Sequence, residues 1–166
     1  MISTIGYEKA DLDHFVGTLL AAKIDVLIDI RDRAQSRRKG FSKTALSQKL
    51  KEFGISYVHF RELGDPKAGR EAARAGNYAL FEKIFDEVMK SDEAQKSLEK
   101  ITTLAKDNSI CLLCYERNHH ECHRKIVSDH LERVLKVKAR HLGVQAIEPV
   151  RKSKRRMLHN NQSAAA

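Results

Sequence analysis

No stretch of the 166-residue chain strings together the roughly 18 apolar residues that a membrane-crossing helix needs, so no membrane partner is expected. The N-terminal MISTIGYEKADLDHF has neither the basic flank nor the apolar stretch of a secretory leader, and the expected location is cytoplasmic. There are only two prolines and eight glycines beside 42% hydrophobic and 32% charged residues. That is the composition of one compact domain, expected over residues 1–142 and followed by a basic, mobile tail over 143–166. Three cysteines, an odd number, do not suit a disulfide framework and in a reducing compartment are either buried filler or chemistry. A chain of this length buries roughly 70% of its unfolded surface, so the core needs neither disulfides nor a structural metal. G-x-G-x-x-G is missing, which removes the usual dinucleotide site. The stretch from Gly64 to Gly69 continues into Arg70 and Glu71 where a phosphate loop needs Lys and Ser or Thr.

Positive charge, by contrast, is in excess. The net charge is +9, and five cations of the tail, Arg151, Lys152, Lys154, Arg155 and Arg156, lie in a stretch without hydrophobic period. A second cluster sits inside the folded region, where Arg31, Arg33, Arg37, Arg38, Lys39 and Lys43 are set against a single acid, Asp32. A phosphate or polyanion is the natural partner of such a patch.

Hydrophobic periodicity supplies the elements. Residues 1–6 read as a short strand, and Leu12, Phe15, Val16, Leu19 and Leu20 recur at helical spacing. Residues 24–30 (IDVLIDI) form a β-branched run that ends in charge, the mark of a buried strand. Ser42 is placed to cap a helix with the apolar face Leu46, Leu50 and Phe53, Gly54 suits its left-handed stop, and 55–60 is the next strand. Residues 63–76, with Gly64, Asp65, Pro66, Gly69 and Gly76, read as a long loop or a loop broken by a helical turn. Two helices follow over 77–90 and 91–106, then the strongest strand, 109–115 (SICLLCY). Asn118 and Glu121 resemble a capping box that opens a helix to about residue 136, and 138–142 is a weak last strand.

This alternation predicts an α/β, three-layer Rossmann-like sandwich around an open, mostly parallel sheet of about five strands. Ligands of such sheets bind beyond the carboxyl ends of the strands. Tyr7, Arg31, His59, Glu62, Cys114 and Glu116 sit at those ends and should converge on one crevice.

The densest reactive group is Cys114, Glu116, Cys122, His123 and Arg124. A cysteine in a first helical turn faces the positive end of the helix dipole, which with Arg124 nearby favours its thiolate, so Cys122 is the better nucleophile candidate. Glu116 would serve as general acid or base and His123 as proton carrier. Cys111 points to the opposite face from Cys114 and reads as a small buried hydrophobe. Cys114, His119, Cys122 and His123 fall close together, but Cys114 and Cys122 are eight residues apart and side chains 122 and 123 diverge by about 100° on a helix. No metal and no cofactor are therefore expected. Arg31 and Arg37 with Ser36 would grip a phosphate, helped by Arg124 and by the helix start at Ser42. Phe41 either stacks on a base or returns to the core as a helix staple. Tyr7, His59 and Gly64 complete the expected ligand-binding set.

The strings TIGYE at 4–8, LIDIRDRAQSRRKGFSK at 27–43, YVHFRELGDP at 57–66 and ICLLCYERNHHECHR at 110–124 together resemble the domain-of-unknown-function family 488. The resemblance spans about residues 1–136 and implies an α/β domain of bacterial and archaeal distribution. Its pattern falls on Tyr7, Arg31, Ser36, Arg37, Phe41, Leu63, Gly64, Cys114, Glu116, Cys122, His123 and Arg124. The chain departs from it with Ala34-Gln35 where relatives carry proline, and His119 and His120 stand outside the pattern. The resulting expectation is an enzyme or sensor acting on a nucleotide or nucleic acid. The alternatives are a non-catalytic nucleic-acid-binding domain, or a metal or redox module that uses Cys114 and Cys122 as ligands or as a reversible disulfide.

Overall fold

Five strands, β1 (Ile2–Gly6), β2 (Val26–Asp29), β3 (Ser56–His59), β4 (Ile110–Cys114) and β5 (Arg140–Leu142), form one all-parallel open sheet in the order β3-β2-β4-β1-β5. The computed structural model describes residues 1–146, so the cationic run from Arg151 to Arg156 lies outside the described residues. Six α-helices connect the strands: α1 (Leu12–Ala21), α2 (Lys43–Lys51), α3 (Lys67–Arg74), α4 (Tyr78–Lys90), α5 (Asp92–Asp107) and α6 (His123–Leu135).

Side-chain alternation divides the core in two. Ile2, Val26, Ile28, Ile110 and Leu112 face Phe81, Phe85, Leu98, Ile101, Val127 and Leu131 of α4, α5 and α6. Ile5, Leu27, Cys111 and Leu113 face Phe15, Val16, Leu19, Leu46 and Leu50 of α1 and α2. Helices thus cover both faces, giving the three layers that the sequence predicts. Strand β4 is buried throughout, which is why it reads as an unbroken apolar run rather than an alternating one. Each large apolar side chain buried in this way contributes about 1.5–3 kcal/mol.

Local signals set the boundaries. Asp11, Asn77 and Ser91 cap α1, α4 and α5 by accepting from backbone N–H groups of the first turn. Gly54, at φ +76°, ends the α2 segment in the left-handed region. Three features differ from expectation. Ser42 occupies the N-cap of α2 without a side-chain capping bond. The 63–76 segment, read as a long loop or a loop broken by a helical turn, contains the eight-residue helix α3.

The third difference shapes the site. Asn118 accepts from the His120 N–H and donates to Glu121, but this closes only a 3₁₀ turn over His119–Glu121. Cys122 is then extended, at φ −139° and ψ 140°, and α6 begins at His123. No helix among the described residues is long and apolar enough to cross a membrane.

Candidate active site

Strand β4 lies between β1 and β2, with Gly6 opposite Cys114 and Asp29 opposite Leu113, so three neighbouring strands end at one place. Backbone bonds tie those ends together: Tyr7 N–H donates to the Cys114 carbonyl at 3.3 Å, Glu8 N–H to Tyr115 at 2.8 Å, and Ile30 N–H to Leu113 at 3.2 Å. Cys114 Sγ sits 3.0 Å from Glu116 Oε2 and 3.6 Å from His123 Nδ1. The other ring nitrogen of His123 lies 2.9 Å from the Ile30 carbonyl oxygen. That oxygen only accepts, so Nε2 carries a proton and Nδ1 is left for the sulfur.

Burial opposes charge on the Cys114 thiol, but the contact with Cys122, the charge and hydrogen bond of His123 and the Glu116 contact outweigh it, and its pKa falls well below the ordinary value. Burial likewise opposes the imidazolium of His123, yet the adjacent Cys114 sulfur lifts that group to about 9. Glu116 is pushed up to about 7, first by burial and then by the neighbouring sulfur charge. The resulting arrangement is a thiolate flanked by two proton donors. Cys122 goes the other way, raised by burial and by the charge of Cys114 and Glu116. The first-turn placement on which the preference for Cys122 rests is not what the backbone shows. Cys122 is an N-cap in extended conformation rather than a first-turn residue, and its sulfur points toward anions. Cys111 is fully buried on the opposite sheet face and its thiol is pushed up by desolvation, as a packing residue should be.

Cys114, Glu116 and His123 open onto a cleft of about 480 Å³. The loop after β2 supplies Arg33, Ser36, Arg37 and Arg38 to its wall, and α3 supplies Arg70 and Arg74. The guanidinium groups of Arg33, Arg37 and Arg74 belong to exposed residues and make no ion pair or hydrogen bond among the described residues. Ser36 Oγ accepts from the Arg38 N–H at 3.1 Å and so orders the loop it belongs to.

Other expected ligand residues are committed elsewhere. The Arg31 guanidinium donates twice to Asp29, at 2.8 and 2.5 Å, and also to Tyr7 Oη and the Phe41 carbonyl, so little of it remains for a phosphate. Burial works against the charge of Arg31, but the Asp29 carboxylate keeps its pKa above the ordinary value. Arg124 is 2% exposed and donates to the Glu116 carbonyl and, at 3.0 Å, to that of Arg117, holding the loop after β4. Phe41 is 1% exposed, stacked on Tyr7 at 4.6 Å and edge-on to Phe15, so it returns to the core and is not open to a base. Tyr7 lines the cleft but is itself buried beneath it. His59 bonds the Arg31 carbonyl at 2.7 Å and, with the N-terminus of α2, borders a separate depression on the far side of the basic loop. Gly64 is required by packing: a Cβ there would overlap the backbone of Asp32.

Sequence reasoning missed Asp65, Arg70, Arg74 and Tyr115. Asp65 is buried, its Oδ1 has no hydrogen-bond partner, and desolvation raises it to about 6 against the pull of His123 and Arg70. Arg70 donates to Asp32 at 3.2 Å and to the Asp65 carbonyl. The signal for these residues was the Asp65-Pro66 pair ahead of a short helix, but KAGREAAR has no apolar side chain larger than alanine to reveal its period. Tyr115, 44% exposed on the cleft wall, is the aromatic surface that Phe41 is not.

The sulfurs of Cys114 and Cys122 and a nitrogen of His123 all lie within 4.8 Å of one another, close enough to share a soft cation. The divergence expected of side chains 122 and 123 assumed a helix at both positions. The extended backbone of Cys122 brings its Sγ to 3.9 Å from His123 Nδ1 instead.

Fold and site together define a parallel α/β protein with a Cys-Glu-His cluster at the carboxyl end of its central strands. The family model described as Domain of unknown function DUF488 matches residues 11–131, and the chain belongs to that family. Comparison with curated proteins and with solved structures found no match.

Proposed function

We propose that the protein is an enzyme that uses the Cys114 thiolate on a nucleotide, with the phosphate held by Arg37, Arg33 and Arg74. The observation that carries this reading is the contact of one sulfur with both Glu116 and His123 at the floor of an arginine-walled cleft. Its volume falls in the range of small-molecule sites. Unpaired guanidinium groups recognise phosphate bidentately, and the exposed ring of Tyr115 offers a stacking surface for a base. Cys114 attacks an electrophilic centre next to the phosphate while His123 retains its proton on Nε2 for Ile30. Glu116, poised near neutral pH, protonates the departing oxygen. As a carboxylate it then takes a proton from the water that releases the substrate fragment from sulfur. A sensor would use the same cleft and thiolate without turnover.

The test is site-resolved alkylation of Cys114 by iodoacetamide in the presence of mononucleotides or the matching nucleosides. Nucleotides should protect Cys114 at concentrations at least about tenfold lower than nucleosides, and Arg37→Ala or Arg74→Ala should weaken that protection about tenfold. Equal protection by nucleosides removes the phosphate from the reading. A stoichiometric metal on Cys114 in the purified protein, or a Cys114 that iodoacetamide does not modify, overturns the thiolate.

A further inference from the structure

Cys122 has no part in the chemistry proposed above, yet it is 3% exposed and sits against the reactive sulfur. The sulfurs of Cys114 and Cys122 lie within 4.8 Å and address the same His123 nitrogen, at 3.6 and 3.9 Å. They are reached from different sides: Cys114 opens onto the large cleft, and Cys122 onto a smaller cavity of about 160 Å³ beyond His123. Cys122 lies between the 3₁₀ turn and α6, and its N–H makes only a 3.3 Å bond to His119. Its carbonyl accepts from the Lys125 N–H at 3.0 Å, so the shift that closes the sulfurs to the roughly 2.05 Å of a disulfide falls at this joint and the first turn of α6.

We infer that Cys114 and Cys122 form a hydroperoxide-driven, reversible disulfide, a modification site that switches off the nucleophile. This rests on the reading of Cys114 as the thiolate of the site. In the first step Cys114 sulfur attacks one oxygen of hydrogen peroxide, the O–O bond breaks, and the departing hydroxide takes a proton from Glu116 to leave as water. Cys114 is then a sulfenic acid. In the second step Cys122 gives its proton to the Glu116 carboxylate left by the first step, and its sulfur attacks Cys114. The S–O bond breaks, and the hydroxide leaves as water with that proton from Glu116. Two thiols and one peroxide become one disulfide and two waters, and an external dithiol reverses the change. Cys111, buried on the other face of the sheet, remains a thiol throughout.

The experiment treats the full chain with hydrogen peroxide, then counts free thiols and maps the peptides by mass spectrometry. Free thiols should fall from three to one, with Cys114 linked to Cys122, and dithiothreitol should restore all three. In Cys122→Ser, oxidation should instead stop at a sulfenic acid on Cys114 that dimedone traps, and proceed to the sulfinic acid with excess peroxide. Sulfinic acid on Cys114 of the unsubstituted chain with Cys122 still free would overturn the disulfide and leave the thiolate reading intact. A Cys114 inert to both peroxide and iodoacetamide would overturn both. A link through Cys111 would overturn the pairing.

Discussion

His123 donates its Nε2 proton to the carbonyl of Ile30, the residue that follows β2, at 2.9 Å. The Ile30 N–H is itself held by Leu113 of β4, so the direction of that carbonyl is set by the sheet. The bond therefore fixes the tautomer and the rotation of the imidazole before any ligand arrives. A strand on one side of Cys114 orients the base that touches it from the helix on the other.

Replacing His123 should release the thiol. In His123→Gln the stabilising charge beside Cys114 is gone while burial remains, so the pH midpoint of Cys114 alkylation should rise toward or above the ordinary value. The iodoacetamide rate near pH 6.5 should fall at least about tenfold. An unchanged midpoint, followed site by site with mass spectrometry, would show that His123 does not support the thiolate.

Asp65 makes stability depend on pH in a direction opposite to that of a paired carboxylate. Its folded pKa, about 6, lies above its ordinary 3.8, so the native state keeps a proton that the unfolded chain gives up. The contribution is fully present below the ordinary value and is lost as pH rises through about 6. Asp65→Asn, which cannot ionise, should match the unsubstituted protein near pH 4 and exceed it by about 1–2 kcal/mol at pH 8, after allowance for solvent screening. Urea unfolding at the two pH values measures this, and parallel curves for both proteins would contradict it.

The Asp29 carboxylate is fully buried beneath Arg31 and also accepts from Tyr57. Asp29→Ala would strand a buried guanidinium, at a cost of about 3–5 kcal/mol. The double substitution Asp29→Leu with Arg31→Met should be much less harmful, because it leaves no charge unpaired. Chemical denaturation of the two variants gives the comparison, and equal losses would mean that the pair is not coupled.

Gly6 stands where β1 passes the loop after β4. A Cβ there would overlap the Glu116 carbonyl and approach the Arg124 guanidinium, both of which are held in place. Gly6→Ala should cost about 1–3 kcal/mol and move Glu116 off the sulfur. The expected signs are a lower melting temperature together with slower Cys114 alkylation. Destabilisation without a change at Cys114 would separate the glycine from the site.

The sheet was legible because 26–29 and 110–114 are buried throughout, the latter as an unbroken apolar run, and because helical spacing is strong in α1 and α4. Helix α3 was not, since its alanines and glycine bury through small side chains that leave no apolar stripe. The gathering of Tyr7, Cys114 and Glu116 followed from strand ends alone, whereas His59 and Glu62, expected beside them, border the separate depression. What each arginine does was invisible, because Arg31 and Arg124 are decided by tertiary partners, the Asp29 carboxylate and the loop carbonyls. The choice between the cysteines turned on one backbone conformation. Asn118 and Glu121 do bond each other, at 3.0 Å, but the turn they close ends before Cys122.

The placement of β4 also bears on when the reactive sulfur comes into being. Its partners β1 and β2 are made first, from residues 2–6 and 26–29, yet they never touch as a pair because the slot between them belongs to residues 110–114. Pairings this distant along the chain form late and slowly. A growing chain therefore carries β1 and β2 as unfilled edges, with no oriented imidazole and no activated thiol. On the proposed reading of Cys114 as a thiolate, that sulfur is set up only when the middle of the sheet is closed, so a half-made molecule presents no activated thiol.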